Sequence, residues 1–208
     1  MRVVVLDAMG VLYSAADAVT EWLIPFTRRL GCALSAEQIT TAYVSCSLGA
    51  FSSKALWQTL GVWQEGSDLD TAYIEAYTLM PGAIELLARL RAAGVLVACV
   101  CNDVREWSLA ARRALGLEEY ITHWIVSGEV GARKPNPRIY RQFLEISGAL
   151  PHECVVVDDQ ARNLNAARKL GFTTLWYTQT TALSPETHHQ ADSDFGGLTA
   201  WLMGSRVL

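Results

Sequence analysis

The sequence predicts an α/β protein, a doubly wound parallel sheet carrying a small helical insertion near its start. Three observations lead there. Short apolar runs rich in Val, Ile, Cys and aromatic residues recur at 3–6, 95–100, 124–126, 154–157 and 174–177, each bounded by polar or glycine punctuation. Segments of helix length alternate with them and stop before a glycine: 83–93 before Gly94, 106–115 before Gly116, 137–147 before Gly148 and 160–170 before Gly171. Residues 14–80 break this alternation, with helix signals but no convincing strand. Strands alternating with helices of this size imply right-handed crossovers and a sheet covered on both faces, which binds its ligands at the carboxyl ends of the strands.

Taken in order, the run at 3–6 is the first strand. The insertion then offers a helix over 15–30 with Pro25 as a kink, a Ser35-Ala-Glu-Gln38 capping box, a helix ending at Leu60 before Gly61, and a helix over 70–77. Pro81-Gly82 returns the chain to the alternating pattern. The predicted division is a core of 1–14 and 81–208 and a helical domain of 15–80. The polar stretch 179–194 reads as a surface loop before a short final helix.

With 208 residues and 51% hydrophobic content, the chain can fill an interior without covalent staples. The net charge of −4 and the scattered basic residues argue against a nucleic-acid partner. The five cysteines, Cys32, Cys46, Cys99, Cys101 and Cys154, lack CxxC spacing and read as reduced thiols of a cytoplasmic protein. The opening MRVVVLD is too short for a signal peptide, and GVLVACVC is too short to span a bilayer, so no membrane association is expected. The seven tryptophans suggest a buried helical domain or a homodimer face.

The strand ends carry the chemistry. The first runs into Asp7-Ala-Met-Gly10, the second into Cys101-Asn102-Asp103 and the fourth into Asp158-Asp159, with Arg133-Lys134-Pro135 in the loop after the third. In a parallel sheet these ends share one rim. Asp7, Asp158 and Asp159 gathered there would raise one another's pKa, so a cation is the economical explanation, and hard oxygen donors favour Mg2+. Lys134 would balance the remaining negative charge.

These segments resemble the haloacid dehalogenase (HAD) superfamily of aspartate-nucleophile hydrolases, in the branch with a helical cap inserted after the first motif. LDAMGVLY is similar to motif I, VCND to motif II, GARKPNPRIY to motif III and VVVDDQARNLNAARKLG to motif IV. The resemblance implies a Rossmann-like core and a covalent intermediate on Asp7 that water hydrolyses. It implies a magnesium site of Asp7, the Met9 backbone carbonyl and Asp158-Asp159, with Asp159 as the direct ligand of the pair. Lys134 would assist catalysis, and Gly10, Cys101 and Asn102 would bind the phosphate or substrate.

Two positions depart from the pattern. Most family phosphatases carry a second aspartate two residues after the nucleophile, as general acid and base; here it is Met9, which cannot transfer a proton. Cys101 replaces a serine or threonine donor, and a thiol donates weakly. Dehalogenases of the superfamily dispense with the acid but lack the paired motif IV aspartates. Phosphoryl hydrolysis or transfer on a small, phosphorylated molecule is therefore the leading expectation. The alternatives are a catalytically weak homologue that binds a phosphorylated ligand or partner, and a dehalogenase-like hydrolase. Arg162 and Asn163 read as structural polar groups, and Trp22, Trp57, Trp63 and Tyr73 as cap core. Arg28-Arg29 either meets an anionic substrate or ends a helix.

Overall fold

The computed structural model describes residues 3–177, 189–190 and 195–204. Five strands, β1 (Val3–Leu6), β2 (Leu96–Cys101), β3 (His123–Val126), β4 (Cys154–Asp158) and β5 (Thr173–Trp176), fall within one residue of the expected runs. A sixth, β6 (His189–Gln190), lies in the stretch expected to be a loop and pairs with β5. The rest of 178–194, including His188, lies outside the described residues.

The strand order is β3-β2-β1-β4-β5-β6, and every pairing is parallel. Alternation along the strands supplies both faces. Val3 and Val5 of β1 pack with Ile139, Phe143 and Leu164 of helices α8 (Pro137–Ser147) and α9 (Ala161–Lys169). Val4 and Leu6 face the other way, against α5 (Ala83–Ala92), α6 (Arg105–Ala114) and α10 (Phe195–Gly204). Near-continuous apolar strands follow from this double covering. The order of connection reverses between β1 and β4, which places a crevice at their carboxyl ends.

Only helices lie between β1 and α5: α1 (Ile24–Arg29), α2 (Ala36–Cys46), α3 (Ser53–Thr59) and α4 (Leu69–Ile74). The expected helix over 15–30 starts later, with a wide π turn at Val19–Leu23 that runs into α1. Pro25 stands two residues past the π turn, at the point where the continuous helical run changes from π to α geometry. The capping box forms, with Ser35 Oγ accepting from Gln38 N and Gln38 Oε1 from Ser35 N. The helix expected over 70–77 ends at Ile74 and is capped by Asp68. A short helix, α7 (Ser127–Val130), follows β3 directly.

These helices share one apolar cluster with the α5/α6 face of the sheet, through Phe26, Ile39, Tyr43, Leu56, Trp57 and Tyr73. Polar contacts reinforce the union. Ser127 Oγ donates to Ser47 O at 2.6 Å. Asp70 Oδ1 accepts from the indoles of Trp57 in α3 (2.7 Å) and Trp107 in α6 (2.6 Å), and its Oδ2 from Ser53 Oγ (2.6 Å). Gly49, at φ +78°, comes so close to Gly128 that a Cβ would meet the Gly128 carbonyl oxygen at 2.5 Å.

Candidate active site

Asp7 leaves the end of β1 still bonded to the sheet, its N–H donating to Val157 O at 2.9 Å. Its Oδ1 accepts from Ala8 N at 2.6 Å and lies 2.6 Å from Lys134 Nζ. Among the described residues no hydrogen bond is made to Oδ2. Lys134 Nζ also lies 2.8 Å from Asp158 Oδ2, so one buried ammonium bridges two strand-end carboxylates. Asn102, just past β2, holds the lysine backbone from both sides: Lys134 N donates to its Oδ1 (2.7 Å) and its Nδ2 donates to Lys134 O (3.0 Å).

Asp158 is saturated. Gln160 N and Asn163 Nδ2 donate to its Oδ1 at 2.8 and 3.0 Å, and Asn163 Nδ2 reaches its Oδ2 at 3.1 Å. Asp159 is freer, with Gln160 Nε2 3.0 Å from its Oδ2. Its backbone carbonyl accepts from the Trp176 indole at 2.8 Å, which fixes the turn.

Asp7, Asp158 and Asp159 each bring a carboxylate oxygen within 4.8 Å of the others. Three carboxylates face one ammonium. Burial pushes the Asp7 carboxyl well above its usual range against the pull of Lys134, with Asp158 and Asp159 adding to the rise. Burial, and then Asp158, push Asp159 up to about 6. Burial opposes the charge on Lys134, but Asp158 and Asp7 together hold its pKa above the ordinary lysine value. An excess of negative charge on oxygen-only donors is what a hard divalent cation would relieve. The donor set fits magnesium, and Asp159, with the least engaged carboxylate of the motif IV pair, is the best placed to reach it.

A model of the haloacid dehalogenase-like hydrolases matches residues 1–171. The chain belongs to this family. A phosphoserine phosphatase of Thermus thermophilus is 30% identical over 187 residues, which are 87% of this chain and 66% of that protein. The (S)-2-haloacid dehalogenase 4A of Burkholderia cepacia is 34% identical over 107 residues, 51% of this chain and 46% of that protein. The chain thus spans between about half and two thirds of the length of these relatives. In fold it resembles a HAD phosphatase from Thermococcus onnurineus, with a TM-score of 0.74 at 20% identity, covering 99% of this chain and 100% of that one. A HAD family enzyme from Bacteroides thetaiotaomicron, crystallised with magnesium and inorganic phosphate, gives a TM-score of 0.71 at 20% identity over 89% and 98% of the two chains.

In this haloacid dehalogenase-like hydrolase, Asp7, Met9, Asn102 and Asp159 line one cleft of about 290 Å³, joined by Tyr43 and Arg133. Two expected substrate-binding positions are engaged elsewhere in this structure. Cys101 is the last residue of β2, and its side chain joins Cys99 and Val97 in the apolar cluster instead of lining the cleft. Gly10 has its N–H committed to Ala15 O (2.7 Å) and Tyr13 O (3.1 Å), which leaves the turn and a close approach to Asp159 as its contribution. Met9 is half-buried and packs on the apolar cluster while lining the cleft. Asn163 lines the cleft and donates to Asp158. Arg162 is exposed at the cleft. Trp57 and Tyr73 are core, Trp22 and Trp63 are half-buried against it, and Arg28-Arg29 ends α1 away from the cleft.

Tyr43 escaped the sequence reading, and Arg133 and Asp103 were named there only as neighbours of Lys134 and Asn102. Tyr43 enters the cleft from α2, with its hydroxyl donating to Asn102 O at 3.0 Å, and Arg133 lies over its ring at 5.3 Å while donating to Ser47 Oγ. Asp103 is buried at the start of α6, and its Oδ1 accepts from Val104 N at 2.7 Å. Arg133-Lys134-Pro135 and Cys101-Asn102-Asp103 were visible as strand-end signals, but nothing local in the sequence pairs Tyr43 with Arg133.

Proposed function

We propose that this protein is a magnesium-dependent hydrolase or transferase of phosphoryl groups on a small phosphorylated metabolite, with Asp7 as its nucleophile. The carrying observation is the group of Asp7, Asp158 and Asp159 carboxylates within 4.8 Å of one another, cross-linked by Lys134. Residues 1–14 and 81–208 would form the catalytic core and 15–80 the cap. The buried free cysteines suit a reducing cytoplasm. The name of the Thermus relative and the ligands of the Bacteroides enzyme point the same way.

Asp7, the Met9 carbonyl and Asp159 would hold the metal, with Asp158 fixing Lys134 beside it. When bound, the metal would neutralise the phosphoryl oxygens and lower their repulsion of the Asp7 carboxylate. A carboxylate oxygen of Asp7 attacks phosphorus as the bond to the leaving oxygen breaks, giving an aspartyl phosphate and the leaving group as its oxyanion, which takes a proton from water. Water then attacks the same phosphorus, restoring the carboxylate and releasing inorganic phosphate. Lys134 keeps Oδ1 oriented and balances charge throughout, and Asn102 keeps Lys134 in register.

The test is release of phosphate from a panel of phosphorylated metabolites, with and without magnesium, by the native protein and Asp7→Asn. The expected result is magnesium-dependent release that falls at least ~10³-fold in the nearly isosteric variant. Undiminished release by Asp7→Asn, or halide release from 2-haloacids without metal, would overturn the proposal.

A further inference from the structure

Lys134 has two carboxylates in contact with its charge; its neighbour Arg133 has none, and the buried Asp103 carboxyl feels it only from beyond 4 Å. Among the described residues no carboxylate lies within 4 Å of the Arg133 guanidinium. Its contacts are the Ser47 hydroxyl and the face of the Tyr43 ring at 5.3 Å, both neutral. A guanidinium has five N–H donors, and a half-buried one without an anion has given up hydration for little return. Yet it is held firmly. Tyr43 beneath it is fixed through its hydroxyl to Asn102 O and packs on Trp107, with ring centroids 6.1 Å apart. The loop that carries it is fixed to Asn102 through Lys134. An oriented, charged fork with no anion in contact, on the wall of the cleft that also holds Asp7, is suited to receive one.

That anion is not the transferring phosphoryl group, which belongs beside Asp7 and Lys134 at the carboxylate cluster. We infer that Arg133 selects substrates with a second anionic group, a carboxylate or a second phosphate, a few bonds from the phosphoryl group that Asp7 attacks. The cleft of about 290 Å³ sits at the small end of ligand pockets, which run from roughly 300 to 1,000 Å³, so one compact substrate would meet both ends. The other cation at the cleft, Arg162, is exposed and has no comparable support. This inference rests on the reading of Asp7 as the nucleophile. Its competitor is a purely structural Arg133 that ties the end of α2 to the loop before α8.

Two matched pairs of phosphomonoesters separate these roles: phosphoglycolate against ethyl phosphate, and 1,3-propanediol bisphosphate against propyl phosphate. For the native protein, kcat/KM should favour the doubly anionic member of at least one pair by about 10- to 100-fold, the value of one charge-assisted contact. The pair that shows it tells carboxylate from phosphate. In Arg133→Gln that ratio should collapse toward one; in Arg133→Lys, which keeps the charge but not the fork, it should fall part of the way. Ser47→Ala, which frees the guanidinium, should lower the ratio with less effect on the fold. A native ratio near one, or ratios unchanged in the variants while both substrates slow together, would overturn the inference. Should none of the four be hydrolysed with magnesium present, and acyl and aryl phosphates fail as well, the phosphatase reading fails by itself. The same ratios, measured as calorimetric affinities of these compounds, would then decide the role of Arg133.

Discussion

Gly10 and Asp159 approach so closely that a Cβ on the glycine would stand 2.6 Å from Asp159 Oδ2. The glycine also sits at φ +72°, where a side chain costs roughly 1–2 kcal/mol before any clash. Gly10→Ala should therefore melt at a lower temperature and lose most of the rise in melting temperature given by magnesium, because Asp159 must move. Thermal melts with and without the metal check this. A variant that melts lower but keeps the full magnesium effect would separate Asp159 from metal binding.

Asp103 provides a pH dependence. Burial pushes its carboxyl from 3.8 up to about 7, against the Val104 N–H and the charge of Arg133. The folded protein therefore holds this proton more tightly than the unfolded chain does. The stability it contributes is complete below about pH 4 and is lost as pH rises to about 7. Asp103→Asn keeps an acceptor for Val104 N and removes the charge, so the variant should gain on the native protein between pH 5 and pH 8. Urea denaturation at the two pH values measures the gain, and an unchanged difference would refute the buried-acid account.

Met9 leaves the cleft without the usual proton donor beside the nucleophile. Alkyl phosphates, whose alkoxide leaving groups need a proton, should be slow; acyl and aryl phosphates should be faster. General acid catalysis is worth ~10²- to 10⁴-fold, and Met9→Asp should recover part of that factor for alkyl phosphates. The measurement is the slope of rate against leaving-group pKa where the first step limits. Equal slopes in both proteins would mean that another group supplies the proton.

Asp70 accepts two indole N–H groups and one hydroxyl from α3 and α6. Asp70→Leu strands both indoles, and each unsatisfied buried donor costs about 1–3 kcal/mol. A loss of roughly 2–5 kcal/mol in urea denaturation is expected, with a smaller loss for Asp70→Asn, which retains one acceptor oxygen. Equal losses would assign the effect to charge and not to the indoles.

Asp7, Asn102, Lys134 and Asp159 were legible because a parallel sheet puts its strand ends on one rim, and that rule needs only the strand pattern. The end of β2, expected at Val100, falls at Cys101. β2 continues through it, and the two-residue alternation then sends its side chain to the same side as Cys99 and Val97. The Gly10 N–H is claimed by Ala15 O, a turn contact that residue types do not announce. Arg133 with Ser47, Tyr43 with Asn102 and Asp70 with Trp107 join positions 86, 59 and 37 residues apart, and no periodicity encodes such pairs. The start of α1 was placed too early because helix signals do not tell a π turn from an α turn.

The stack that runs from Trp107 through Tyr43 to Arg133 has an evolutionary consequence. Trp107 never lines the cleft, yet it supports the ring on which the guanidinium rests. If Arg133 selects the substrate, a lineage acquiring a new one could shift the guanidinium by altering α6, and one keeping the old would be expected to retain Asp70, Trp107 and Tyr43 together.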